Sequence, residues 1–355
     1  MTAAVHPNSV PRFRLQGGET IPAIGLGTFG SDHYTPDQVS EAVYGALKAG
    51  YRLLDCAQVY GNEAQIGQVL RRAFEEGMVQ RESLFITSKV WNDMHGPGDV
   101  LLALARTLRD LGLDTIDAYF VHWPFPNYHA PGCDGDSRNP HSRPFDAGEY
   151  IAVWRQMERL HDMGLVRHLG MSNMTLSKLD AVLPHCRIQP SLLELELHPS
   201  FQQRQLLAYC RQHQIQPMGF CPLGSPNRPE RDRACGDVND MELPEVLEVA
   251  RRHQIHPALV CLKWQVAIGS LPIPFSSRPS NYCANLRCVT EYPYAGGSRD
   301  SGKGRARLSP DQGAGFPLAR RRGLAGNLGI DRSALQPIKK TGSTLSRFFL
   351  SPWLE

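Results

Sequence analysis

The sequence predicts an α/β protein built as a (β/α)8 TIM barrel with a short N-terminal β-hairpin. Short apolar runs alternate with amphipathic stretches through most of the 355 residues, and this alternation is typical of parallel strands joined by helices. Eight strand-like runs occur over roughly 250–270 residues, each followed by a helix-like stretch. An open doubly wound sheet also alternates strand and helix, but the count of eight and the span favour the closed barrel.

The predicted strands follow a hairpin. Residues 13–22, FRLQGGETIP, resemble a small hairpin ahead of the first barrel strand, where it would cover the barrel floor. Each barrel strand is expected to be a short apolar run between polar or turn-forming residues. The eight runs are 23–29, 52–57, 84–90, 116–123, 166–173, 191–198, 216–223 and 270–276.

The predicted helices fill the intervals between these runs. The first, 37–49, is preceded by Thr35-Pro36-Asp37, which resembles an N-cap with proline at the first helical position. The stretch 244–268 is expected to form two helices split near Pro257. The other helices are expected at 62–75, 99–111, 149–163, 176–186, 202–213 and about 280–288.

Composition favours an ordinary globular protein of the cytoplasm. The chain is 41% hydrophobic and 21% charged, and its net charge of +3 is too small to indicate a nucleic-acid partner. No run is apolar for long enough to span a bilayer, and the N-terminus lacks the pattern of a secretory signal. The nine cysteines show no metal-ligand spacing. We therefore expect reduced thiols and no metal, membrane or nucleic-acid partner.

One motif suggests a different fold. GLGTFG, residues 25–30, fits the G-x-G-x-x-G pattern of dinucleotide-binding Rossmann domains. In that fold the glycines open directly into a helix, and an acidic residue at the end of the next strand holds the ribose. Here the helix begins only after SDHYTP, and the acid at the next strand, Asp55, has neighbours that indicate another role. The Rossmann interpretation is therefore disfavoured.

Candidate catalytic residues lie at the predicted C-terminal ends of the strands, which meet at one mouth of a barrel. Any one of them alone would more often be a cap, a solvated lysine or a core histidine. Four ionisable groups of complementary type at one mouth favour function. The strand-end residues are Asp55, Tyr60, Lys89, His122, Ser172, Asn173, Glu194, Glu196 and His198.

Four of these side chains fit together as a general acid. A free tyrosine is a poor acid at neutral pH, and a neighbouring ammonium from Lys89 is expected to lower the pKa of Tyr60. Asp55 would hold Lys89 through a charge-assisted hydrogen bond. His122 would orient a substrate carbonyl. Such a set could protonate the alkoxide that forms when a hydride reaches a carbonyl carbon.

The motifs GYRLLDCAQVYGNE, LFITSKVWN, LGLDTIDAYFVHWP, GLVRHLGMSN and FCPLGSP closely resemble those of the aldo-keto reductases. These are NAD(P)H-dependent (β/α)8-barrel enzymes that reduce aldehydes and ketones. The resemblance covers about residues 12–291. It implies that Asp55, Tyr60, Lys89 and His122 form the catalytic tetrad of that family, with Tyr60 as proton donor.

The resemblance also implies a nicotinamide cofactor bound over the barrel mouth. Its carboxamide would be held by Ser172 and Asn173 and by a strand-six glutamine, where this chain has Glu194, which can accept but not donate as a carboxylate. The ring would stack on Phe220, where the family usually has tyrosine. The full set of implied cofactor residues is Thr28, Asp55, Ser172, Asn173, Glu194, Phe220, Leu223, Ser225, Ser276 and Asn285.

The eighth strand departs from the family pattern. The family typically places a lysine, an arginine and a glutamate where this chain has Phe275, Asn281 and Ala284. The lysine and the arginine grip the adenosine 2′-phosphate of NADP. Arg278 would compensate in part. NADP is the expected cofactor, and NAD use or weak discrimination is the alternative.

Aromatic residues near the tetrad are expected to bind the substrate, although barrel-rim packing would also explain them. The residues are Phe29, Tyr60, Trp91, His122 and Trp123. The long loop 124–146 is expected to form one pocket wall. The substrate is a small carbonyl compound whose identity the sequence does not reveal, and the resemblance suggests a monomer.

The chain changes character after about residue 291. Residues 12–291 are expected to form the barrel, and 292–355 an atypical tail rich in Gly, Arg, Ser and Pro. The tail is either disordered or frameshifted. With permitted codons, SPDQGAGFPL (309–318) read one base later gives RLIKGQVFLW, which resembles a lost reductase C-terminus. The alternative to an active reductase is therefore a catalytically impaired nucleotide-binding or regulatory barrel, or a pseudogene product.

Overall fold

The computed structural model describes residues 4–30, 33–125, 144–224, 228 and 237–290. The atypical tail 292–355, the barrel's expected end at 291, Ser225 and most of the long loop 124–146 lie outside these residues. The statements below concern the described part of the chain.

The fold is the expected barrel with an antiparallel hairpin ahead of it. The hairpin pairs Arg12–Arg14 (β1) with Thr20–Pro22 (β2). Eight parallel strands follow, and neighbours in the sheet are neighbours in the sequence. They are β3 (Leu26–Gly27), β4 (Leu53–Asp55), β5 (Phe85–Val90), β6 (Ile116–Val121), β7 (Val166–Ser172), β8 (Leu192–Glu196), β9 (Gln216–Phe220) and β10 (Leu271–Pro272).

Backbone hydrogen bonds between the first and last strands close the sheet into a barrel. Gly25 N–H donates to Pro272 O at 3.0 Å, and Gly27 N–H donates to Pro274 O at 3.1 Å. A Cβ at Gly27 would lie 2.7 Å from the carbonyl oxygen of Ile273, so only glycine allows this approach. Two glycines of the GLGTFG motif therefore serve barrel closure, and the Rossmann interpretation is excluded.

Helices cover the outside of the barrel at the expected positions. α1 begins with a capping box between Thr35 and Gln38 and ends at Gly50 in the left-handed conformation. The predicted helix 244–268 is split as expected, with Pro257 opening its second half. The helices are α1 (Pro36–Ala49), α2 (Glu63–Glu75), α3 (Asp99–Leu111), α4 (Ala147–Asp162), α5 (Leu176–Val182), α6 (Arg204–Gln212), α7 (Pro244–His253), α8 (Pro257–Ala267) and α9 (Pro279–Cys288).

Several elements are shorter than the apolar runs that predicted them. The run 166–173 ends as a strand at Ser172 because Asn173 has a φ of 58°, and the run 216–223 ends at Phe220 because Cys221 has a φ of 47°. Both angles lie in the left-handed region, which no strand continues through. These reversals turn the chain away from the sheet at the C-terminal mouth.

The hairpin is anchored to the opposite, N-terminal end of the barrel by charged side chains. Glu19 of the hairpin turn accepts from Arg167 at 2.6 Å and pairs with His168 at 2.7 Å, both on β7. Arg167 also donates to the buried carboxylate of Asp117 on β6 at 2.7 Å. Asp117 pairs in addition with Arg81 at 2.8 Å. The hairpin thus covers the floor, as the sequence predicts.

In the described part of the chain, no helix combines the length and the apolar character that crossing a bilayer requires.

Asp117 is expected to stabilise the floor far more than the exposed hairpin contact does. Asp117→Ala removes the partner of two arginines and the acceptor of the Ile86 N–H, 2.8 Å away. We expect a loss of about 2–4 kcal/mol in the free energy of unfolding, measured with urea. Glu19→Gln, at a more exposed carboxylate, should cost less than about 1 kcal/mol. Equal losses would contradict this account of the floor.

Candidate active site

The C-terminal mouth brings together the four side chains that the sequence predicts to be catalytic. Asp55 is the last residue of β4, and Tyr60 closes the short 3-10 turn Gln58–Tyr60 beyond it. Lys89 lies near the end of β5, and His122 directly follows β6. Because β4, β5 and β6 are adjacent parallel strands, the four residues share one wall of the mouth.

Lys89 is the centre of the cluster. Its side chain is fully buried, and its Nζ donates to both carboxylate oxygens of Asp55, at 2.7 and 2.8 Å. The same Nζ lies 3.0 Å from the carbonyl oxygen of Cys56 and 3.4 Å from the hydroxyl of Tyr60. Thr87 also donates to Asp55, at 2.7 Å. The ammonium is therefore fixed within reach of the phenol.

The charges around Lys89 keep it protonated. Burial lowers the pKa of Lys89, but the nearby carboxylates of Asp55 and Glu194 outweigh burial and raise that pKa well above its usual value. The lysine therefore remains a cation at neutral pH.

Burial raises the pKa of Tyr60 above its ordinary value. The Lys89 ammonium lowers that pKa, as expected, but by less than burial raises it. Asp55 and Glu194 raise the pKa of the phenol further. Tyr60 is consequently a neutral phenol at neutral pH, and Asp55 keeps Lys89 in place rather than making Tyr60 acidic.

An aromatic wall surrounds Tyr60 and His122. The ring of Phe29 lies 5.1 Å from that of Tyr60, and the ring of Trp91 lies 5.0 Å edge-on from that of His122. The rings of Tyr60 and His122 are themselves 5.9 Å apart. Trp123 follows His122 and is half-buried. The predicted substrate-binding aromatics thus lie beside the tetrad.

Asn173 connects three strands next to the tetrad. Its side-chain amide donates to the carbonyl oxygen of His122 at 2.9 Å and to Ser172 Oγ at 3.1 Å. Its backbone N–H donates to the carbonyl oxygen of Glu194 at 2.9 Å. The left-handed backbone of Asn173 is a strained conformation of the kind found at functional sites. Ser172 and Asn173 are therefore firmly positioned at the mouth.

Glu194 is a second carboxyl group beside Lys89, a role that the sequence interpretation missed. Its buried Oε2 lies 3.4 Å from Lys89 Nζ but accepts no hydrogen bond within the described residues. Burial, aided by the charge of Asp55, raises the pKa of Glu194 to about 8, although Lys89 opposes the rise. Burial is the main cause, and a second carboxylate beside one ammonium adds to it.

The other described residues of the predicted cofactor set lie at or beyond the C-terminal ends of the first, seventh and eighth barrel strands. Thr28 is fully buried, and its hydroxyl donates to the carbonyl oxygen of Asp55 at 2.8 Å. Phe220 and Leu223 are half-buried at the end of β9 and just beyond it, and Ser276 and Asn285 follow β10. Ser276 Oγ accepts from the backbone N–H of Arg278 at 3.2 Å.

A charged cluster lies beside β8, and only two of its members, Glu196 and His198, were predicted from the sequence to lie at the mouth. His198 Nδ1 lies 3.0 Å from the buried carboxylate of Asp240, and Ser200 N–H donates to the same carboxylate at 3.0 Å. Glu196 pairs with His198 and Arg228. Burial lowers the pKa of His198, but hydrogen bonds to these carboxylates raise it to about 9. The cluster ties Arg228 and Asp240 to the end of β8.

The mouth fits a nicotinamide. Glu194 offers a buried carboxyl oxygen without a hydrogen bond, Asn173 and Ser172 offer polar groups beside it, and Phe220 offers a partly exposed ring. These groups match the amide and the aromatic face of such a ring.

A (β/α)8 barrel with a buried lysine–aspartate pair against a tyrosine at its C-terminal mouth defines a class of barrel enzymes equipped for proton transfer. Residues 23–294 match the model of the aldo/keto reductase family. The aldo/keto reductase slr0942 of Synechocystis sp. is 41% identical over 285 residues, covering 79% of this chain and 85% of that protein. Aldo-keto reductase family 1 member A1 of Bos taurus is 40% identical over 278 residues, covering 77% and 82%.

Solved structures of similar proteins agree with this assignment. A Bombyx mori aldo-keto reductase in complex with NADP has a TM-score of 0.70 at 30% identity, covering 81% of this chain and 89% of that one. The aldose reductase of Schistosoma japonicum has a TM-score of 0.69 at 32% identity, covering 85% and 90%. The chain belongs to the aldo/keto reductase family and is an NAD(P)H-dependent oxidoreductase.

Removing the ammonium should destabilise the protein through the carboxylates that it leaves behind. Lys89→Met leaves Asp55 and Glu194 buried without a cation, and we expect a loss of about 3–5 kcal/mol in the free energy of unfolding. Adding Asp55→Asn should recover part of the loss, measured as a double-mutant cycle with urea. Lys48→Met, at an exposed lysine of α1, should change stability by less than about 1 kcal/mol. Additive losses for Lys89 and Asp55 would contradict the coupling.

Proposed function

We propose that this protein reduces an aldehyde or ketone to an alcohol, with the proton supplied by Tyr60. The observation that carries the proposal is the position of Lys89 Nζ, which is held by Asp55 at 2.7 Å and lies 3.4 Å from the Tyr60 hydroxyl. A fixed cation beside a phenol stabilises the phenolate that proton donation leaves. When bound, a reduced nicotinamide supplies the hydride for such a reaction.

Each tetrad residue has one task in this proposal. Tyr60 is protonated at neutral pH, because burial raises its pKa, and it gives its proton to the carbonyl oxygen as negative charge develops there. Lys89 then balances the phenolate, and Asp55 holds Lys89 through two hydrogen bonds. His122, whose ring lies 5.9 Å from that of Tyr60, donates a hydrogen bond to the same carbonyl oxygen.

The nicotinamide end of the cofactor would be held beside the tetrad. Ser172, Asn173 and Glu194 would bind the carboxamide, and the half-buried ring of Phe220 would stack against the nicotinamide. Asp55 and Thr28 would support that end of the site. Further residues proposed to contact the nucleotide are Leu223, Ser225, Ser276 and Asn285.

We propose NADP as the cofactor, with NAD as the alternative. Phe275 stands where the family places a cation for the 2′-phosphate, and its ring lies 5.4 Å edge-on from that of Tyr34. Asn281 is neutral as well, and Arg278, which is exposed just before α9, is a nearby cation that could meet a phosphate there. Discrimination between the two cofactors should consequently be weak.

The substrate proposed is a small carbonyl compound bound against the aromatic wall. Phe29, Trp91 and Trp123 flank the rings of Tyr60 and His122 and favour an apolar body attached to the carbonyl. By resemblance to the family, the protein is proposed to act as a monomer in the cytoplasm.

A second candidate function is nucleotide binding without turnover. The carboxyl group of Glu194 and the aromatic side chain of Phe275 alter two cofactor contacts, which favours an impaired or regulatory barrel. Quenching of tryptophan fluorescence by NADPH or NADH, without oxidation of either on a broad panel of aldehydes, would support this second function.

Removing the Tyr60 hydroxyl should separate chemistry from binding. Tyr60→Phe is expected to lower kcat for carbonyl reduction by about 10²-fold or more, because the proton donor is lost. Nucleotide affinity, measured by fluorescence quenching, should stay within roughly twofold. Tyr44→Phe removes a hydroxyl that donates to Glu76 on the outside of the barrel and should leave kcat unchanged. Full activity of Tyr60→Phe would refute the assigned donor.

Restoring a cation at position 275 should create a preference for NADP. Phe275→Lys is expected to tighten NADPH binding by about tenfold at low salt and leave NADH binding unchanged. The gain should shrink at high ionic strength. Leu247→Lys adds the same charge at an exposed position of α7 and should alter neither affinity. An equal gain for NADH would place position 275 away from the 2′-phosphate.

A further inference from the structure

The mouth of the barrel holds more negative than positive charge below its surface. Asp55 and Glu194 both lie near Lys89, so full ionisation of the three would leave a buried net charge of −1. Asp55 accepts two hydrogen bonds from Lys89 and one from Thr87. Glu194 Oε2 lies 3.4 Å from Lys89 Nζ and accepts no hydrogen bond within the described residues. Of the two carboxylates, Glu194 is the one that gains most from a proton.

The groups paired with Glu194 in the sheet do not offset this imbalance. The residues paired with Glu194 on the neighbouring strands, Ser172 on β7 and Met218 on β9, cannot carry charge in this pH range. Tyr60 is neutral, and a phenolate there would only add negative charge. Farther along β8, His198 and Arg228 pair with Glu196, so these two groups are not available to balance Glu194.

We propose that Glu194 holds a proton at neutral pH, and that loss of this proton shifts the site's preference from the reduced to the oxidised nicotinamide. The second half of this inference rests on the proposed function, since it requires a nicotinamide beside Glu194. A protonated carboxyl group both donates and accepts a hydrogen bond, so Glu194 can then bind both polar atoms of a carboxamide. Once ionised, it can only accept.

The charge of the nicotinamide ring determines which form of the cofactor an ionised Glu194 prefers. The oxidised nicotinamide ring carries a positive charge that the reduced ring lacks, so an ionised Glu194 attracts the oxidised form selectively. Burial and Asp55 raise the pKa of Glu194 to about 8, which places the change within a range where the folded protein can be studied. Reduction is favoured below that range, where Glu194 is neutral.

The proton itself can be observed without cofactor or turnover. In infrared spectra of the full chain at pH 6.5, wild type should show the carbonyl stretch of a buried carboxylic acid, and the band should be absent from Glu194→Gln. The wild-type band should disappear as the pH rises through about 8. A band that is missing at pH 6.5, or that persists in Glu194→Gln, would overturn the assignment of the proton.

The shift in preference is measured from equilibrium binding. The ratio of the Kd for NADP⁺ to the Kd for NADPH, measured by tryptophan quenching, should fall about tenfold between pH 6.5 and 9.5 in wild type. Glu194→Gln keeps the donor and acceptor of the neutral acid and should hold the ratio constant. Glu19→Gln, at the floor of the barrel, should follow wild type.

The outcomes separate this inference from the proposed function. A ratio that does not change with pH in wild type, or one that still falls in Glu194→Gln, would overturn the inference while leaving carbonyl reduction intact. A wild-type protein that binds neither nucleotide would contradict the proposed function and, with it, the redox half of the inference. The infrared band would then still decide whether Glu194 carries the proton.

Discussion

A buried ammonium is the constraint on which the mouth of this barrel depends. Lys89 is fully enclosed, and a cation is tolerated there only because Asp55 accepts two hydrogen bonds from it. The same pairing fixes Nζ 3.4 Å from the phenol of Tyr60. Stability and chemistry are therefore joined in one contact, since a shift that released the lysine from Asp55 would also remove it from Tyr60.

The two ends of the barrel use charge differently. At the floor, Asp117 is buried but shared between Arg81 and Arg167, and the hairpin adds Glu19, so opposite charges alternate. At the mouth, the carboxylates outnumber the ammonium, and one buried carboxyl oxygen has no hydrogen bond within the described residues. An imbalance of this kind is costly for a fold alone and is typical of a site completed by a ligand.

The sequence predicted the strands and the tetrad because both depend on local order along the chain. Strands buried on both faces read as continuous apolar runs, and the polar residue that ends each run falls at the common mouth. Contacts between side chains far apart in the sequence could not be predicted in this way. The pairing of His198 with Asp240 spans 42 residues of chain, and no spacing indicates it. The second carboxyl group beside Lys89 was missed because Glu194 was considered only as a contact for the cofactor carboxamide. The direction of the Tyr60 pKa depends on burial, which a strand-end position does not specify.

The junction between β3 and β10 is where the barrel is expected to open most easily. β3 and β10 are each two residues long, and the Gly25 and Gly27 amides complete the junction, whereas β5 and β6 pair over four residues. A barrel closed by so few hydrogen bonds is expected to open first at this junction. Amide exchange should therefore be fastest there among the barrel strands. Phe275 follows β10 just beyond this junction, whereas Lys89 lies on β5, two strands away from β3. An adenosine end bound beside Phe275, as proposed above, would meet the part of the barrel wall that opens most easily.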